Sequence, residues 1–315
     1  MKFNVLDRTI YYTKHGSHAY GLNIETSDID YKGICIKPKS YYLGFAYNFE
    51  QEEKMASKNN GVDSAIYSID KFAKLAANCN PNIIEVLFVD ESDIVKITAA
   101  GNDIRKIRHD FLSKKVLHTF SGYAHSQLKR IQLHRSWLLN PVEKKPERKD
   151  FKLPEISAIS NSQLGAFESL KLKNKDLQMS DEVIELYNKE KQYQNALLRY
   201  NQFCEWKTSR NEKRAQLEKD FGYDTKHAMH LIRLLKMCKE ILEDCTVNVK
   251  RKEDREELLS IRYGALKYDD VIELSEKLKS ECEEAHKLSK LRNEPDIEYL
   301  NSVIADIVER FLDEE

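Results

Sequence analysis

The sequence predicts an α+β protein, with a small mixed sheet and flanking helices over residues 1–110 and an all-helical region over 111–315. Three observations carry this. Two stretches, 28–36 and 62–69, alternate apolar and polar residues with the period of half-buried strands. Gly16-Ser17, Pro38 and Asn59-Asn60-Gly61 punctuate them as turns. Beyond residue 111 the apolar residues recur at helical spacing over long, charge-rich segments.

Taken in order, residues 5–14 contain Ile10-Tyr11-Tyr12 and suit either a strand or a short helix leading into the Gly16-Ser17 turn. A short helix is expected over 19–22. Asp28 and Asp30 flank Ile29 at the head of the next strand, so alternation puts both carboxylates on one face and Ile29 in the core. The aromatic stretch 41–49 suits a turn of helix, and the polar stretch 51–61 reads as a loop. In the strand at 62–69, Asp63, Ala65 and Tyr67 share a face opposite Val62 and Ile66. A helix capped by Asp70 follows, with Phe72, Leu75 and Ala76 as its apolar stripe. Asn80-Pro81-Asn82 caps the next segment, 83–89, where Glu85 interrupts an apolar run and reads as a helix-face or cap partner.

Residues 101–108 and 111–134 read as helices. The stretch 140–154 mixes charges with Pro141, Pro146 and Pro154 and reads as an exposed connection. Residues 157–170 suit a short helix or irregular chain, and 181–211 a helix with Ile184, Tyr187, Tyr193, Leu197 and Tyr200 on one face. Asp224 or Thr225 then caps a helix whose apolar face is Ala228, Leu231, Ile232 and Leu235. Lys226, His230 and Arg233 stand at i, i+4 and i+7, in line on the opposite face. Two helices, 268–292 and 297–312, close the chain.

Composition excludes several classes. The 315 residues carry 51 basic and 52 acidic side chains, a net charge of -1, which argues against a broadly basic nucleic-acid coat. No apolar run is long enough to span a bilayer, and no charged-then-apolar leader is present. The six cysteines are scattered without C-x-x-C pairs, which fits reduced thiols in a cytoplasmic protein better than a zinc site or a disulfide framework. No P-loop, G-x-G-x-x-G or internal repeat is present.

The chemistry is concentrated near the start. Two carboxylates on one strand face repel unless a cation neutralises them, and hard oxygen donors suit Mg²⁺ or Mn²⁺. A third carboxylate on a neighbouring strand is needed for a two-metal site, and Asp63 is the candidate, with Glu50, Glu52 and Glu53 as fallbacks. The Gly16-Ser17 turn offers backbone N–H groups and a hydroxyl to a phosphate. The Lys226, His230 and Arg233 stripe suits a polyphosphate or RNA backbone, and its spacing equally admits ordinary surface groups.

Gly-Ser followed at about ten residues by Asp-x-Asp resembles the DNA-polymerase-β-like nucleotidyltransferases. More narrowly, the chain is similar to a bacterial and phage family of predicted nucleotidyltransferases associated with RNA repair and RNA ligases. The stretches that carry this are Gly16-Ser17-His18-Ala19-Tyr20-Gly21-Leu22, Ser27-Asp28-Ile29-Asp30-Tyr31-Lys32-Gly33, Tyr67-Ser68-Ile69-Asp70-Lys71-Phe72 and Asn80-Pro81-Asn82-Ile83-Ile84-Glu85-Val86-Leu87-Phe88. Gly122-Tyr123-Ala124-His125-Ser126-Gln127-Leu128, Tyr223-Asp224-Thr225-Lys226-His227-Ala228-Met229-His230-Leu231-Ile232-Arg233 and Ile261-Arg262-Tyr263-Gly264 continue it. The resemblance implies that Gly16 and Ser17 hold an NTP, that Asp28 and Asp30 bind two Mg²⁺ or Mn²⁺ with Asp63 on the catalytic one, and that Lys226, His230, Arg233 and Arg262 face phosphates. The implied reaction moves an NMP to a hydroxyl, expected to be an RNA 3′ end such as a broken tRNA, in the cytoplasm of a bacterium or phage-infected cell. The alternatives are a protein hydroxyl as acceptor, or a non-catalytic nucleotide or RNA sensor.

Overall fold

The computed structural model describes residues 3–55, 62–157, 180–210 and 212–314, with residues 160, 163, 165, 166 and 169 between. The Asn59-Asn60-Gly61 turn and most of the 157–170 segment lie outside the described residues. The expected α+β organisation is present. Strands β1 (Thr9–His15), β2 (Ile29–Cys35), β3 (Gln51–Lys54), β4 (Val62–Ser68) and β5 (Ile94–Ile97) form one sheet in the order β3-β4-β2-β1-β5. It is mixed: β2 and β4 are parallel, and the other neighbours antiparallel. Five short helices lie among the strands or directly after them: α1 (Gly16–Tyr20), α2 (Lys39–Leu43), α3 (Ile69–Ala77), α4 (Pro81–Leu87) and α5 (Ala99–Lys106). The rest of the described chain is helical: α6 (Val116–Leu139), α7 (Asp181–Ser209), α8 (Glu212–Phe221), α9 (Thr225–Asp244), α10 (Arg255–Arg262), α11 (Tyr268–Leu288) and α12 (Ile297–Asp313).

Residues 5–14, which suited two structures, resolve into β1 because Tyr11, Tyr12 and Thr13 find ladder partners on both β2 and β5. The polar stretch expected as a loop begins instead as β3, paired antiparallel from Gln51↔Tyr67 to Lys54↔Ser64. Backbone hydrogen bonds to β4 suffice at a sheet edge, where charged side chains face water and discourage further pairing. Ile29 also departs from expectation. It is 36% exposed, at the end of β2 that extends beyond the last β1 pair, His15↔Asp30. Helix α3 starts at Ile69 with Ser68 as its cap residue, so Asp70 lies inside the first turn, where it pairs with Lys37 at 3.0 Å. Asn80 caps α4 as expected, its side chain accepting from Asn82 N–H at 3.1 Å with Pro81 opening the helix.

The chain forms two compact units, which do not follow a cut near residue 110. One comprises residues 1–131 and 225–315, and the other 132–224. In the first, α9 packs on α10 and α11 and buries most of its residues, while Lys226, His230, Lys236, Lys239 and Glu240 stay partly exposed along one side. Arg233 is buried, so its charge needs a partner inside the protein. In the second, Trp137, Phe203 and Trp206 pack ring against ring, and the buried Glu190 takes both arms of Arg148 at 2.8 Å. The 140–154 connection is largely exposed and includes a single 3₁₀ turn, Arg148–Phe151.

Candidate active site

Strand register builds the acidic centre. Asp30 on β2 pairs with Asp63 on parallel β4 and with His15 on antiparallel β1, so one sheet face carries His15, Asp30 and Asp63 in a row. The next row on that face is Thr13, Lys32 and Ala65. Asp28 lies just before β2 and is exposed, as is Asp63, whereas Asp30 is half-buried. The Asp30 carboxyl is held above its usual range, first by burial, then by the negative charge of Asp63, with Asp28 adding to it. Lys226 and Lys32 oppose the shift. Both other expected carboxylates thus act electrostatically on Asp30.

The Gly16-Ser17 turn sits directly against this centre. Gly16 has φ +64°, and a Cβ built there would lie 2.2 Å from Asp30 Oδ2. Only glycine combines that left-handed backbone with so close an approach. The short helix expected over 19–22 lies earlier, at Gly16–Tyr20: Ser17 is half-buried in its first turn, and it ends in left-handed Gly21 (φ +69°).

Among the described residues, no three His, Cys, Asp or Glu side chains are already gathered as a metal cage. The chemistry of the donor set nevertheless fits a hard cation. It consists of carboxylate oxygens, and its innermost member is raised by burial and then by the charge of the other two.

The four expected phosphate-facing cations separate. Lys226, in the first turn of α9, acts on Asp30, and His230 is half-buried one turn further along. Arg233 does not line up with them toward solvent. It is 4% exposed, donates to Glu85 Oε1 at 2.6 Å and lies 3.8 Å over the Tyr20 ring. Arg262 is likewise buried, and donates from Nη1 to the Leu22 carbonyl at 3.0 Å. Both guanidiniums are committed to protein groups, which a buried charge requires.

Behind the acidic centre lies a polar cluster that the sequence patterns do not reveal. Glu85 is fully buried, and its Oε2 accepts from Tyr20 Oη at 2.5 Å with His15 Nε2 at 3.9 Å. Burial lowers His15 well below its ordinary range, and Lys32 and Arg233 push the same way, so the ring is neutral. Burial also brings Lys32 down to about 8, against the attraction of Glu85 and Asp30. Its Nζ donates to the Asn82 carbonyl at 2.8 Å. A glutamate inside an apolar run is the one available signal, since such a group is buried only with a partner. The partner, 148 residues away, is not legible from sequence.

Residues 2–150, just under half of the chain, match the RNA repair pathway DNA polymerase beta family (RlaP). An uncharacterised 38.9 kDa protein from the nrdC-mobD intergenic region of Enterobacteria phage T4 is 30% identical over 94 residues, which is 28% of this chain and 28% of that protein. No solved structure matches. The family match supports a nucleotidyltransferase-type role, and among the described residues no helix is long and apolar enough to cross a membrane.

Proposed function

We propose that the chain transfers a nucleoside monophosphate from an NTP to a hydroxyl, most favourably an RNA 3′ end, with pyrophosphate as the leaving group. The observation that carries this reading is the contact of Gly16 with Asp30, in register with Asp63. It supports the reading because it sets the Gly16-Ser17 turn, with its backbone N–H groups, beside clustered carboxylates. Asp28, Asp30 and Asp63 would hold two divalent cations. Bound there, such ions lower the pKa of the acceptor hydroxyl and stabilise charge on the attacking and leaving oxygens.

The chain's own groups do the rest. Gly16 and Ser17 orient the β- and γ-phosphates, and Lys226 adds a cation beside Asp30. The acceptor oxygen bonds to the α-phosphorus as the bond to the β-bridging oxygen breaks, and its proton passes to a carboxylate or water. RNA as acceptor rests on the family's RNA-repair association.

Incubating the protein with each α-³²P-NTP and Mg²⁺ or Mn²⁺, with and without total RNA, tests the proposal. Label on RNA that disappears in Asp28→Ala/Asp30→Ala supports it and names the base. Label on protein alone replaces the acceptor with a protein hydroxyl. Tight NTP binding without label under any condition turns the reading into a nucleotide sensor.

A further inference from the structure

Helix α1, which presents Gly16 and Ser17, has five residues, and its cap residue His15 makes no side-chain cap bond. One turn of helix does not hold its own geometry in water. Its position over Asp30 is therefore imposed from outside: it packs on β1 and β2, and its exit is held by side chains and backbone from a distant stretch of chain. Three consecutive carbonyls at its exit are taken by residues 251–262. Arg251 N–H donates to the Tyr20 carbonyl at 2.9 Å, Arg255 Nε to Gly21 at 2.8 Å and Arg262 Nη1 to Leu22 at 3.0 Å. Arg233 covers the Tyr20 ring and shares Glu85 with the Tyr20 hydroxyl. Cations at the carbonyl end of a helix also complement its dipole.

We propose that Arg233, Arg255 and Arg262 form a clamp that sets the Gly16-Ser17 turn against Asp30, making them positioning residues for the nucleotide and not ligands of its phosphates. Arg262 links the two sides of the site, because its own carbonyl accepts from Thr225 Oγ1 at 2.7 Å. Lys226 is the next residue along, so the exit of α1 and the start of α9 are tied through one residue. Asp30 Oδ2 occupies the space that a side chain at residue 16 would need, so a shift of α1 changes the relation of the Gly16-Ser17 turn to that carboxylate. The proposal rests on the nucleotidyl-transfer reading for its functional half.

The test compares wild type with Arg255→Ala, Arg262→Met and Arg262→Lys. The readouts are thermal melting, hydrogen exchange of peptides covering 15–23, binding of the four α,β-methylene NTPs in Mg²⁺, and KM and kcat of label transfer from the α-³²P-NTPs. The side chain of Arg255 is 42% exposed and bears one tether, so Arg255→Ala is the variant expected to fold if Arg262→Met does not. The clamp predicts faster exchange confined to 15–23 while α9 stays protected, with affinity weakened on the order of 10- to 100-fold. KM should rise more than kcat falls, and Arg262→Lys should recover part of the loss. A folded Arg255→Ala protein with wild-type exchange over 15–23 and wild-type affinity overturns the clamp. If wild type binds no nucleotide, the nucleotidyl-transfer reading fails and exchange alone judges the clamp: local acceleration upholds it, and unchanged exchange refutes it.

Discussion

At the scale of single residues, the candidate site is defined by how little room it leaves. Gly16→Ala places a methyl group where Asp30 Oδ2 lies and forces a left-handed backbone on an L-residue. The strain alone is about 1–2 kcal/mol, and displacement of Asp30 adds a loss of nucleotidyl transfer larger than the loss of stability. Chemical denaturation and initial rates on the same preparation separate the two effects. Asp30→Asn and Asp63→Asn keep the volume and remove charge. Each should reduce transfer by roughly 10²–10³-fold, the loss typical of one electrostatic partner of a transition state. Because Asp30 is raised partly by Asp63, Asp63→Asn should leave the fold at least as stable as wild type near neutral pH. Arg233 behaves oppositely. Arg233→Met strands the buried Glu85 carboxylate, with an expected loss of about 3–5 kcal/mol. Adding Glu85→Gln should recover part of it in a double-mutant cycle.

At the scale of elements, the sheet decides which residues meet. Strand β1 is flanked on both sides, and its Tyr11 is fully buried with its hydroxyl donating to the Val86 carbonyl at 3.1 Å. Burial pushes that phenol up to about 12, with Arg105 and Arg108 opposing. Between pH 10 and about 12 the unfolded chain releases the proton and the folded chain retains it, so stability is lost as pH rises through that window. The loss amounts to about 2–3 kcal/mol. In Tyr11→Phe this part of the pH dependence should be absent, although the variant is less stable than wild type at every pH below it. Denaturant midpoints at about pH 9 and about pH 11.5, on either side of most of that titration, make the comparison. The shared face of Asp63, Ala65 and Tyr67 follows from strand alternation alone, because the period of 2 is local. The pairing of Asp30 with Asp63 does not, since it depends on the register of a parallel crossover 33 positions long. Arg233, the last residue of the i, i+4, i+7 stripe on α9, turns inward for a related reason. Spacing fixes which residues share a helix face, and says nothing of whether that face meets water or another helix.

At the scale of the whole molecule, the stretch 225–315 belongs with the sheet, and the 132–224 unit is compact by itself. The ends of the first unit lie close together, since His227 Nδ1 meets Gln127 Oε1 at 2.6 Å. Replacing residues 132–224 by a short Gly/Ser linker should therefore leave a protein that melts cooperatively and binds NTP. Residues 1–131 alone should not melt cooperatively, because Tyr20, Gly21, Leu22 and Glu85 lose partners contributed by 233–262. Calorimetry of the two shortened chains tests both statements.

The sequence by itself determined the α+β class, the Gly-Ser turn, the aspartates at the head of their strands, the Asn80 cap and the long helices. Each depends on neighbours within a few residues, where backbone sterics, side-chain alternation and capping act. Only the tertiary structure decided that Ile29 faces out, that residues 51–54 complete the sheet edge, and that Arg233 and Arg262 serve the protein interior. Those outcomes turn on desolvation. A guanidinium surrounded by α4, α1 and α9 must find a carboxylate or a carbonyl, and which one it finds depends on segments more than a hundred residues apart.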